Sequence, residues 1–197
     1  EEQKKEAEGA KSKEPTSKPE TKKPKLPSKK KEDSFDIAAQ QIAQIDSLLF
    51  GLDQALNSDL IDNIAKKPVD ELATNLATIG QTSNLLGLGS ALEGFADRLK
   101  GIKDERKKKQ YGTLWQGINE RQQNAKKKIA KLHDNLTKKM EQAERTIKRS
   151  PSEQAEEQAQ SLDQLKGFLA SLEKVGNSLL KIQDLLPESK EPKISPY

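Results

Sequence analysis

Eleven side chains between residues 103 and 131 have the types and spacing to bind something. Lys103, Arg106, Lys107, Lys108 and Lys109 come first. Tyr111 and Trp115 follow, and Arg121, Lys127, Lys128 and Lys131 extend the run. Cations at this density attract polyanions or acidic protein surfaces. A bend that exposes two aromatics beside lysines would offer the flat apolar anchors that concentrate binding energy at interfaces. Lysine outnumbers arginine, which suits charge attraction better than bidentate reading of base edges. Aromatics are too few for a base-stacking platform. The set predicts a partner-binding arm. A protein is the expected partner; an anionic polymer, such as nucleic acid or polysaccharide, or a lipid or granule surface is the alternative.

Catalytic chemistry has less to stand on. His133 is the sole histidine. It sits one step off an apolar stripe and carries neither of the helical spacings that pair a histidine with a glutamate for a metal. There is no cysteine, hence no thiolate ligand and no disulfide. Glu153, Glu156 and Glu157 suit the positive end of a helix dipole and have no spaced catalytic partner. No Gly-rich phosphate loop follows a strand pattern. The expectation is a protein that is not an enzyme, with no cofactor and no metal.

The elements that must position the arm are helices. Charged residues are abundant, while the β-branched and aromatic residues that favour strands are scarce. Phe35, Ala38, Ile42, Ile45, Leu49, Leu52 and Leu56 alternate three- and four-residue steps, which predicts one helix over about 34–57. Ser58 is the expected cap of a short helix over 60–66, and Pro68 the first turn of the next. The glycines at 80, 87, 89 and 94 predict a turn near 84–90, or a helix packed very close to a neighbour. A stripe from Leu92 to Ile147 predicts a long helix over about 90–149, bent or broken at 110–117. Ser150, Pro151 and Glu153 read as a capping box opening a final helix that stops before Pro187. That helix carries two leucine-rich lines, so it needs two neighbours and should be central. The fold class is all-α: an elongated antiparallel up-and-down bundle of three to five helices over 34–186.

Charge is unevenly spread. Residues 1–33 carry net +3, 34–99 net −6, 100–149 net +10 and 152–191 net −4. The basic segment between acidic ones predicts either mutual neutralisation within the bundle or a surface for an acidic partner. Residues 1–33 are rich in Lys, Glu and Pro, with Leu26 the one large apolar side chain, and read as a solvated tether. Lys-rich "KKPKLPSKKK" within it also matches a nuclear-import patch. Residues 187–197 read as a tail. No apolar run reaches the length of a membrane span. "LWQG" at 114–117 resembles the hairpin turn of small secreted WXG-type helical proteins; the residues themselves read Trp115 as a packing anchor under a bend.

A Lys/Glu/Pro tether followed by a cysteine-free helical bundle looks like the layout of spirochaetal surface lipoproteins that bind host proteins. That resemblance implies a surface or secreted location, with a lipid anchor upstream of Glu1, and a host protein as partner. A cytoplasmic scaffold is the alternative.

Overall fold

The computed structural model describes residues 34–187, which fold as an all-α bundle of seven α-helices and one 3-10 turn. The tether and the tail beyond Pro187 lie outside the described residues. The helices are α1 (Ser34–Ala55), α2 (Ser58–Asp62), α3 (Val69–Thr82), α4 (Leu85–Lys100), α5 (Glu105–Gln116), α6 (Asn119–Arg149) and α7 (Glu153–Leu185), with the 3-10 turn at Ile64–Lys66.

The apolar seams do what their spacing predicts. Ala38, Ile42, Ile45, Leu49 and Leu52 are buried along α1 and Leu56 just beyond its end, whereas Phe35, the first residue of the predicted seam, is 36% exposed. Both lines of α7 are buried too: Leu162, Leu165, Leu172 and Leu179 in one, Phe168, Val175 and Ile182 in the other. The helix packs on three neighbours, α3, α4 and α6.

The chain runs as four arms of alternating direction. The first is α1, α2 and the 3-10 turn, the second α3 with α4, the third α6 and the fourth α7. The side-chain contacts fix the directions. Asp53, Ile61 and Ala65 meet Lys128, Asn135 and Lys139 at offsets of 75, 74 and 74 residues, so the first arm runs parallel to α6. Lys126 meets Gln183, His133 meets Glu173 and Glu144 meets Lys166, so α6 and α7 are antiparallel. Two of the four seams therefore join parallel arms. The cause is α5, which carries the chain across the diagonal from α4 to α6 instead of folding α6 back on its predecessor.

Several boundaries differ from those read in the sequence. Asn57, not Ser58, caps α2: its backbone is extended and its side chain accepts from Leu60 N at 2.8 Å. Pro68 is the cap of α3, one position outside the first turn. The turn between α3 and α4 is confined to Ser83–Asn84, and residues 85–90 are helical despite their glycines. Asn84 is the only non-glycine with positive φ among the described residues, and its side chain accepts from Gly87 N at 3.2 Å. A Cβ at Gly87 would stand 2.3 Å from that side chain, so this glycine is needed by the cap above it.

The long helix expected over 90–149 breaks twice. The break at Gly117–Ile118 falls at the edge of the expected bend. A second one, at 101–104, restarts the helix on Asp104, whose carboxylate accepts from Arg106 N and Lys107 N at 2.9 and 3.4 Å. Ser150 is not the cap of α7. Its N–H closes the last turn of α6 on Thr146 O, and Ser152, in extended backbone, accepts from Ala155 N at 3.3 Å. Glu153 is thus the first helical residue, still favourably placed at the positive helix end.

Candidate functional site

The eleven predicted residues divide into three groups, set by which helix carries them and which way each faces.

The aromatics are interior. Tyr111 is 1% exposed and Trp115 3% exposed, so the expectation of exposed aromatic anchors does not hold. The helix α5 lies across one end of the bundle, where α1 begins and α4 and α7 end. Its inner face carries Tyr111, Gly112 and Trp115. Tyr111 stacks on Phe35 at 6.3 Å between ring centroids, and Trp115 on Phe95 at 5.4 Å. Gln122, also buried, donates to Trp115 O at 2.9 Å and ties the start of α6 to the end of α5. Trp115 is a packing anchor beside the break at Gly117–Ile118, as expected for a tryptophan under a bend, and both rings are turned into the bundle.

The cations of α6 that face the first arm hold the bundle together. Arg121 pairs with Asp46 at 2.8 Å and lies over the Phe50 ring at 4.5 Å from its centroid. Lys128 lies 3.0 Å from the Asp53 carboxylate and donates to the Asp53 carbonyl at 2.8 Å. Lys131 pairs with Asp62. Lys139, outside the predicted set, donates to Ala65 O at 3.1 Å. Of the two readings of the charge pattern, mutual neutralisation describes this face. The acids that complete it went unassigned in the sequence, yet their spacing was available: Asp46 and Asp53 are one heptad apart, as are Arg121 and Lys128.

The cations that remain outward lie mainly on and beside α5. Lys103, Arg106, Lys107 and Lys109 are exposed. Lys103, Arg106 and Lys109 form no ion pair with a described residue. Lys108 pairs with Glu105 at 3.3 Å along the helix, a weak and solvated contact. Arg106, Lys109, Gln110 and Thr113 fall at helical spacing on the side opposite Tyr111 and Trp115. Lys127 is exposed on α6.

His133 is half-buried, with Nε2 2.7 Å from Glu173 Oε1 on α7, a boundary contact between two packed helices. Among the described residues no three His, Asp or Glu side chains gather closely enough to hold a metal, and no helix is long and apolar enough to cross a membrane. Compared with known protein families, curated proteins and solved structures, the chain shows no match.

Proposed function

We propose that this chain is a non-enzymatic interaction module that engages an acidic protein partner through the outer face of α5. The observation that carries the reading is the division of the basic arm. The α6 cations beside the first arm are spent on Asp46, Asp53 and Asp62, whereas Lys103, Arg106 and Lys109 are exposed at the bundle end and form no ion pair with a described residue. Charges on an interface rim steer encounter and choose partners more than they add affinity. A rigid plug, fixed from beneath by Tyr111 and Trp115, gives such charges a constant geometry. The layout resembling that of spirochaetal surface lipoproteins favours a tethered molecule at a cell surface with a host protein as partner.

The test is a photo-crosslinking residue at Gln110, in the centre of the face, read out by mass spectrometry. The same substitution in a Lys103→Glu, Arg106→Glu, Lys109→Glu background is the control. The reading expects a defined adduct with an acidic protein that disappears on charge reversal; an adduct that survives reversal refutes it. A nucleic acid or other polyphosphate as partner would instead show a steep fall in affinity with salt, each phosphate contact adding about 0.9 to the slope on duplex DNA.

A further inference from the structure

Leu72 to Leu92 is a run of 21 residues without one charged side chain, the longest in a chain that is 34% charged. It forms most of the second arm, from α3 across the Ser83–Asn84 turn into α4. Burial accounts for only part of it, because Thr74, Ala77, Thr78, Gln81, Leu86 and Ser90 are exposed. Leu86 is 73% exposed, more than any other large apolar side chain among the described residues. Beside Leu86 a groove of about 530 Å3 lies between this arm and α7. Its lining is uncharged on both sides, with Gln164, Gly167 and Ser171 of α7 across from Ala77, Gly80 and Gln81 of α3. Two glycines keep it open. A Cβ at Gly80 would stand 3.6 Å from the Phe168 ring, and one at Gly167 would enter empty space. The hydroxyls of Thr74, Thr78 and Thr82 donate to carbonyls one turn back at 3.1, 3.0 and 3.0 Å, so these donors need no outside partner. The two charges that bound the run are paired, Glu71 with Lys67 at 3.0 Å and Glu93 with Lys174 at 3.2 Å. Depletion of charge marks the core of a protein interface better than bulk apolarity does.

We propose that this face pairs with the same face of a second copy of the chain in a two-fold contact, Leu86 of each copy entering the groove of the other. In such a contact each residue near the axis meets its own counterpart. A lysine or an acid there would meet its like charge; an uncharged run meets none. The side-chain amides of Gln81 and Gln164 carry both donors and an acceptor, so each can pair with its own copy. The patch also holds both halves of the fit, a projecting Leu86 and a recess floored by Phe168. An acidic or basic partner, by contrast, finds no counter-charge in the groove. The run is about 30 Å long at about 1.5 Å per residue, and the arm together with α7 is about 20 Å wide. That is on the order of 600 Å2 a side, near the lower limit of specific interfaces. A weak, reversible dimer follows. This face is separate from the outer α5 face and does not depend on what that face binds.

The experiment is sedimentation equilibrium of the full chain over about 1–500 μM, a range that brackets the affinity of an interface of this size. The proposal expects a reversible monomer–dimer equilibrium that persists at high salt, because no charge pair holds it. Leu86→Glu should weaken dimerisation about tenfold or more by setting two like charges near the axis. Gln164→Glu, on the α7 wall of the groove, should weaken it as well. Both side chains are exposed, so circular dichroism should find both variants folded. Leu180→Glu is the control. That leucine is 54% exposed, and helical spacing places it on the opposite side of α7 from Ser171. It should dimerise as the wild type does. A chain that stays monomeric to the top of the range, a dimer that survives either groove substitution, or one that Leu180→Glu weakens equally would overturn the proposal. Association beyond the dimer would mark a head-to-tail contact and overturn it too.

Discussion

Replacing Trp115 tests whether α5 is a plug or a presented anchor. The indole is 3% exposed and stacked on Phe95. Truncation to alanine removes that contact and leaves a cavity at the bundle end, which costs about 3–5 kcal/mol for a buried tryptophan. For a chain of this size each kcal/mol moves Tm by about 2–4 °C, so Trp115→Ala should lower Tm by roughly 6–20 °C. Trp115→Phe is the informative partner. Phenylalanine keeps a ring on Phe95, and the indole Nε1 makes no hydrogen bond to a described residue. Only part of the ring area is lost, on the order of 40 Å2, or about 1 kcal/mol at about 25 cal/mol per Å2. Urea unfolding followed by circular dichroism at 222 nm measures all three proteins. Trp115 is the sole tryptophan, so the wild type adds a second probe: its emission should be blue-shifted when folded and red-shift in the same transition. A loss below about 0.5 kcal/mol for Trp115→Ala, the range of surface substitutions, would show an exposed side chain and refute the plug.

Other outcomes follow from the same packing. Leu172→Ala, at a fully buried position on α7, should cost about 2–5 kcal/mol by denaturant unfolding. Asn84→Ala should destabilise by about 1–3 kcal/mol, because it loses the cap to Gly87 N and keeps a left-handed backbone; Asn84→Gly should recover most of that. The Glu144 carboxyl, 2.9 Å from Lys166, is held below the ordinary carboxylate range first by that hydrogen bond and then by its charge. Its stabilisation is present above the unfolded glutamate pKa and fades as pH falls through the lowered folded value. An NMR titration should place the Glu144 midpoint below 4.5, the ordinary value for a glutamate, and Lys166→Gln should raise it.

Seams were easy to read from the sequence and junctions were not, for a physical reason. Helical periodicity is local, so the buried lines of α1, α6 and α7 follow from residue spacing alone. The break at 101–104 was hidden because Leu99 and Ile102 continue the stripe across it; Gly101 and Asp104 were the only signals. Between Arg149 and Glu153 two serines compete for the cap. Closure of the last α6 turn by Ser150 leaves Ser152 for α7, a choice made by backbone geometry. The diagonal crossing by α5 is non-local. It depends on Tyr111 and Trp115 finding Phe35 and Phe95, and nothing in the spacing of either helix specifies that. The site was misread at the same place. A bend rich in aromatics and lysines suggests an exposed anchor, but rings of that area are more valuable in the core, and here they turn inward while the lysines stay out.

The central claim is that the basic arm has an internal half and an outward half. Urea denaturation of two triple variants tests it most directly. Neutralising Arg121, Lys128 and Lys131 to glutamine leaves Asp46, Asp53 and Asp62 without their counter-charges, and should lower the unfolding free energy by about 1–3 kcal/mol in sum. Neutralising Lys103, Arg106 and Lys109 to glutamine should leave it within about 0.5 kcal/mol of wild type. Equal losses, or a larger loss for the second set, would contradict the account.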